Sequence, residues 1–95
     1  MVDIEVQCTS EGSGSLTFEV RVRDGRSESP HEVTLRTSDL DRLAAPGERP
    51  EDFVHRCFDF LLVREPKESI LSAFDVSVIS RYFPEFEDEI RHQAV

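Results

Sequence analysis

Three side chains that could bind a metal ion recur at four-residue intervals: Glu51, His55 and Asp59. On a helix, this spacing places two carboxylates and an imidazole along one face, and some metal sites use such an arrangement. The same spacing also fits a solvated face with an ion pair between Asp52 and Arg56 beside it. The sequence marks no further ligand, so a metal or small-ligand site on this face is an alternative hypothesis rather than the leading one.

Both cysteines are expected to be packed thiols. A nucleophilic cysteine needs a nearby base and an electropositive setting. His55 precedes Cys57 by two residues, which separates the two side chains by about 200° on a helix. Cys8 occupies an apolar position in an alternating segment, and free cysteine is among the most buried residue types. Their spacing matches no metal or redox motif.

No catalytic set is recognisable. His31 is predicted to be a surface residue at the start of a strand, and His92 lies in the C-terminal tail. Neither has a sequence neighbour that would make it a general base. There is no phosphate-binding glycine loop, GxSxG or HExxH. We therefore predict neither a cofactor nor an enzyme, unless the structure forms a deep pocket lined by His31 and a carboxylate.

The elements that must position these residues change type near Thr37. Before it, apolar side chains occupy every second position, as in half-buried strands. This alternation predicts three strands, at residues 2–9, 16–23 and 32–36. A turn is expected to begin at Asp24 and end at Pro30. We expect an antiparallel meander over residues 1–36, with its second strand in the centre.

Charged residues suggest how the strands pair, because opposite charges across strands are stabilising. For the first two strands the expected partners are Cys8 with Phe18, Glu5 with Arg21, and Asp3 with Arg23. For the second and third strands they are Val22 with Val33, Arg23 with Glu32, and Glu19 with Arg36. One face of this sheet would be apolar, and the other would carry ion pairs.

The main helix is predicted over residues 50–64. Pro50 suits its first turn, and the acids Glu51 and Asp52 lie favourably near its positive end. Six apolar residues cover about half of its circumference: Phe53, Val54, Cys57, Phe58, Leu61 and Leu62. A helix this apolar needs cover on two sides, which the sheet and the C-terminal helices would provide.

Shorter helices are predicted around the main one, at residues 38–45, 66–73, 75–83 and 85–90. Ser38 and Asp75 are expected to cap two of them. Phe86 and Ile90 would hold the last, acidic one against the core. The predicted fold is therefore α+β, a single domain over residues 1–95, in which about four helices of the part 37–95 pack on one face of the meander.

Composition restricts the partners. The formal net charge is −9, so the surface should repel nucleic acid and anionic lipid and favour a basic protein. Neither a signal peptide nor a span of transmembrane length is recognisable, and the cysteine usage suits a reduced cytoplasm. The excess of arginine over lysine indicates a GC-rich bacterial genome.

The stretch REPKESILSAFDVSVISRYFPEFEDEI, from Arg64 to Ile90, resembles small bacterial proteins of about 90–100 residues that have no assigned function. The resemblance rests on the E-P, F-D and Y-F-P-E steps and covers the last third of the chain. It implies neither site residues nor an activity.

The leading functional hypothesis is a non-catalytic protein-interaction domain. The edge strand at residues 2–9 could also pair with a second copy of the chain, which would give a homodimer. A second alternative is a DNA-associated regulator, since residues 66–83 have the outline of a helix-turn-helix. Its second helix would expose Arg81 as the single base, however, and DNA-reading helices normally carry a basic stripe.

Overall fold

The alternating N-terminal segment forms three long antiparallel strands, as predicted. The computed structural model describes residues 2–92 and places β1 at Val2–Gly12, β2 at Ser15–Asp24 and β3 at Ser27–Arg36. Inward-facing side chains of β2 and β3 are buried: Phe18, Val20, Val22, Val33 and Leu35. The opposite face carries ion pairs, in which Arg21 and Arg23 contact glutamates from all three strands.

The predicted register is confirmed for the first hairpin and wrong for the second. Cys8 lies opposite Phe18, with Glu5 opposite Arg21 and Asp3 opposite Arg23. In the second hairpin Val33 lies opposite Phe18 rather than Val22, a shift of four residues. The predicted Arg23–Glu32 and Glu19–Arg36 pairs are therefore absent, and Glu19 lies opposite Glu32.

The reason for this shift is the tightness of the second turn. Asp24 and Ser27 already pair, which leaves only Gly25 and Arg26 in the loop. Gly25 has φ +65°, a left-handed conformation that two-residue hairpin turns require and glycine adopts readily. The third strand thus starts at Ser27 instead of after Pro30. Since the shift is an even number of residues, the apolar face stays the same.

Pro30 lies within β3 and does not end the turn. The amide of Glu32 donates to the carbonyl of Ser72, on the side of β3 away from β2. Backbone groups two residues apart in a strand point to the same side, so the position of the missing Pro30 amide is also on that side. No strand within residues 2–92 pairs with Pro30 on that side, so the proline costs no ladder hydrogen bond.

A fourth strand corrects the predicted count. β4, Ala73–Asp75, lies parallel to β3 and gives the sheet order β1-β2-β3-β4. The helix predicted over residues 66–73 is wrong: this stretch contains only a 3₁₀ turn at Lys67–Ser69 before the chain extends. We call residues 65–72, which join the main helix to β4, the 65–72 connection.

The four α-helices are α1, Thr37–Leu43; α2, Pro50–Arg64; α3, Ile79–Tyr82; and α4, Phe86–His92. The bounds of α2 are those predicted, with Pro50 in its first turn. Ser38 lies inside α1 and does not cap it. Asp75 accepts a hydrogen bond from the Ser77 amide, as a cap should, but it caps a 3₁₀ turn, Val76–Val78, that leads into α3.

Helix α2 lies in the middle of one hydrophobic core. Its buried residues are Phe53, Val54, Cys57, Phe58, Phe60 and Leu61, and Phe86 and Ile90 of α4 join the same cluster. The apolar face of the sheet covers one side of the helix and α4 another, as its wide apolar surface requires. Among the helices at residues 2–92, none combines the length and apolar character needed to cross a membrane.

The ion pair predicted between Asp52 and Arg56 is wrong. The Arg56 guanidinium instead binds both carboxylate oxygens of Glu48, at 2.7 Å each, and the carbonyl of Ile90 at 2.7 Å. Its side chain is 19% exposed, because it packs under the α1–α2 loop instead of pointing into water. We call this group the Arg56 clamp; it joins the loop, α2 and α4.

Candidate functional site

The structure brings together two of the three residues on the possible metal face. His55 Nδ1 lies 3.2 Å from Asp59 Oδ2, and both side chains are about half exposed. Glu51 is instead 3.9 Å from the Arg49 guanidinium. Within residues 2–92, no group of three or more His, Cys, Asp and Glu side chains is arranged to hold a metal ion.

Residues 66–83 do not form a helix-turn-helix. They contain a 3₁₀ turn, the strand β4, a second 3₁₀ turn and the four-residue α3. Neither predicted helix is long enough to enter a DNA groove. The outline seen in the sequence was produced by two short apolar stretches that pack on the end of α2.

The cysteines differ in burial. Cys57 is buried as predicted, and this burial raises the pKa of its thiol, so it is held in the protonated form. Cys8 points inward but is only partly buried, because β1 is the edge of the sheet. Both are free thiols.

His31 is buried, which corrects its prediction as a surface residue. The shifted register places it inside β3, on the face shared by Val33 and Leu35. Its ring lies 5.4 Å from that of Phe58 in α2. The sequence contained a signal for this: Gly25 can occupy the first position of a two-residue hairpin turn, and such a turn extends β3 back to Ser27, which gives Ser29, His31 and Val33 the same inward parity.

Both ring nitrogens of His31 form hydrogen bonds. Nδ1 lies 2.7 Å from the Leu71 carbonyl oxygen, and Nε2 lies 2.8 Å from Ser29 Oγ. A carbonyl can only accept, so Nδ1 carries the proton and donates it. In the neutral ring Nε2 is then an acceptor, and the Ser29 hydroxyl donates to it. This network runs from the carbonyl of Leu71, through the buried His31 ring, to the half-buried Ser29.

Lys67 is the second buried polar side chain of the described chain, beside His31. Its ammonium donates to Ser27 Oγ at 2.6 Å and to the carboxylate of Glu68. The hydrogen bond from Lys67 lowers the pKa of the Glu68 carboxyl. Together, the bonds of His31 and Lys67 fasten the 65–72 connection across the start of β3.

An apolar groove lies on the other side of the 65–72 connection. It has a volume of about 290 Å³, and its apolar lining includes Leu61, Ile70, Leu71, Phe74, Val78 and Tyr82. Tyr82 is 66% exposed and Leu71 is 48% exposed, which is unusual for large apolar residues in this chain. Glu65 lies at the rim and makes no ion pair with residues 2–92.

A second hollow, of about 570 Å³, opens on the polar face of the sheet. His31 borders it together with two carboxylates, Glu19 and Glu32. The His31 ring, however, is held on the core side against Phe58. Imidazole and carboxylates therefore lie on opposite faces of the sheet, and this hollow is not the pocket that an enzyme hypothesis would need.

The outer edge of β1 forms another surface. Within residues 2–92, β1 pairs with β2 alone, through ten of its eleven residues. Its inward side chains Ile4, Val6 and Cys8 pack on the core but remain partly exposed. An exposed strand of this length offers backbone donors and acceptors to another strand.

Comparison with known proteins adds no relative: neither a family model, nor a curated protein, nor a solved structure matches the chain. The surfaces and networks described above therefore carry the functional argument.

Proposed function

We propose that the chain is a protein-interaction domain and that the apolar groove is its binding surface. The observation that carries this proposal is the exposure of Leu71 and Tyr82 beside a groove of about 290 Å³. Burial of such apolar side chains under a partner removes them from water and so favours binding. Interface energy is usually concentrated in a few such residues around a pocket.

The partner's chemistry follows from the charge of the chain. The groove is apolar inside, so it suits a partner that inserts two or three apolar side chains. Glu65, which has no ion-pair partner among residues 2–92, lines the groove as well, and the chain as a whole has a net charge of −9. A basic residue beside the inserted side chains would therefore be favoured, whereas nucleic acid would be repelled.

Selection from a random peptide library displayed on phage tests this proposal. We expect the enriched peptides to combine apolar residues with Lys or Arg, and synthetic copies to bind at least ten times more weakly to Leu71→Asp and Tyr82→Asp. Val63→Asp is the matched control, because Val63 is 83% exposed on α2 and does not line the groove. Absence of enrichment, or equal loss with the control, would contradict the proposal.

A homodimer through β1 is the second candidate, supported by the partial exposure of Ile4, Val6 and Cys8 along the edge. β1 carries the acids Asp3 and Glu5 and a third at Glu11, but no base, so two copies would bring like charges together. Self-association should therefore strengthen with salt. Sedimentation at high protein concentration tests it: a 10.9 kDa species at every salt concentration would exclude the dimer.

A further inference from the structure

Ser29 and His31 lie two residues apart on the inward face of β3, near its N-terminal end. Ser29 Oγ is 2.8 Å from His31 Nε2, and the Leu71 carbonyl holds His31 Nδ1 at 2.7 Å. Because Nδ1 carries the proton, the lone pair of Nε2 faces the serine hydroxyl. A nucleophile, a base within hydrogen-bond reach and a third group that orients the base are the parts of a serine nucleophile site.

Burial makes this arrangement rigid on one side and open on the other. The His31 ring is 3% exposed and packs on Phe58, so it cannot turn away from Ser29. Ser29 is only half-buried, whereas His31 is almost fully enclosed. Of the two residues, Ser29 is therefore the more accessible to a reagent from solution.

A positive charge lies on the same strand face. The Lys67 ammonium is 2.6 Å from Ser27 Oγ, and Ser27 precedes Ser29 by two residues, about 7 Å along the strand. The ammonium also donates to the Glu68 carboxylate, so at Ser29 it contributes only a long-range and partly neutralised positive potential.

We propose that Ser29 is a nucleophile that accepts acyl groups from small activated esters, with His31 as its general base. Ser29 Oγ bonds to the ester carbonyl carbon while its proton passes to His31 Nε2. The bond from that carbon to the leaving oxygen breaks, and the leaving group takes the proton from His31, or departs as an anion while His31 releases the proton to solvent. Water then attacks the acyl-serine with His31 again as base, which releases the acid and restores the hydroxyl.

The test is reaction of the full chain with p-nitrophenyl acetate, followed by nitrophenolate release and by peptide mass spectrometry. We expect one acetyl group per chain, located on Ser29 and removable by hydroxylamine as an ester. Because the adduct is located in the wild-type chain, this test does not depend on whether a variant folds. The proposal is overturned if the adduct forms no faster than it does in the unfolded chain. It is also overturned if the adduct lies mainly on Lys67 or another residue.

Variants separate chemistry from structure. Ser29→Ala should lose the adduct, and His31→Asn should slow acylation about a hundredfold, a typical contribution of a general base. Asparagine can still donate to the Leu71 carbonyl from the position of Nδ1, so it keeps the structural bond and removes the base. Ser13→Ala, in the exposed β1–β2 turn, is the control and should react like the wild type. Equal rates in His31→Asn and the wild type would refute His31 as the base.

Discussion

Two polar groups join distant segments of this chain, and they do so by different means. The Arg56 clamp is an ion pair in which each of the three guanidinium nitrogens donates one hydrogen bond, two to Glu48 and one to the Ile90 carbonyl. The His31 network is a chain of hydrogen bonds without a carboxylate, and it ends at the hydroxyl of Ser29. The ion pair stabilises the structure and presents no reactive group. The His31 network stabilises the structure as well, and it also places a base next to a hydroxyl that could react.

Removal of the arginine should give the largest effect on stability. Arg56→Ala leaves Glu48 poorly solvated and the Ile90 carbonyl without its donor. We expect unfolding free energy to fall by about 3 kcal/mol, as for breaking one partner of a buried pair. Urea unfolding measures it. Arg49→Ala is the control, because the Arg49 side chain is 73% exposed, and it should change stability by less than about 0.5 kcal/mol.

His31→Ala should have the next largest effect. It leaves the Leu71 carbonyl without its imidazole donor and opens a gap beside Phe58. We expect a loss of about 2 kcal/mol in urea unfolding, from the lost hydrogen bonds together with the gap in the core. His31→Asn should recover part of it through the Leu71 bond. An alanine variant as stable as the wild type would show that the network does not fasten the 65–72 connection.

Acid should weaken the Arg56 clamp. The hydrogen bond from Arg56 holds the pKa of the Glu48 carboxyl below its ordinary 4.5, despite partial burial. Because the folded pKa is depressed, this stabilisation is present above about pH 4.5 and is lost as the pH falls through the folded pKa. Glu48→Gln should therefore show a flatter decline of unfolding free energy with acid; an unchanged slope would contradict the assignment.

An exposed ion pair gives the smallest expected effect and a reference for the clamp. Arg42 binds Glu87 bidentately at 2.7 and 3.1 Å, but their side chains are 47% and 38% exposed. Glu87→Gln should cost about 0.5 kcal/mol, and high salt should reduce this cost further. A loss as large as that of Arg56→Ala would mean that burial does not set the difference between these pairs.

The sheet shows which strand pairs a local sequence pattern can predict and which it cannot. Alternation and opposite charges predicted the partners of Cys8, Glu5 and Asp3, because a bulge between Cys8 and Ser10 shifts the register that the turn sets by one residue, into the one that the pattern favours. For β3, the same charge argument favoured a register four residues away. The turn at Gly25 overrode it, since turn geometry fixes the first pair and every later pair follows.

The candidate binding surfaces could not be predicted from the sequence pattern alone. Leu71 and Tyr82 look like core residues in the sequence, and their exposure depends on how the 65–72 connection and α3 rest on the end of α2. β4 has three residues, too few for a period to be read. The metal hypothesis placed Glu51, His55 and Asp59 on α2, which is the helix that forms. The sequence pattern does not show that Glu51 lies near Arg49.

By itself, then, the sequence determined the class of fold, the bounds of α2, the apolar face of the sheet and the burial of Cys57. These depend on the period of side chains along one segment, which is a local property. Only the tertiary structure decided that His31 is buried between Ser29 and the Leu71 carbonyl, and that Arg56 binds Glu48. Such contacts join residues far apart in the chain, and their partners are chosen by packing, which no local period records.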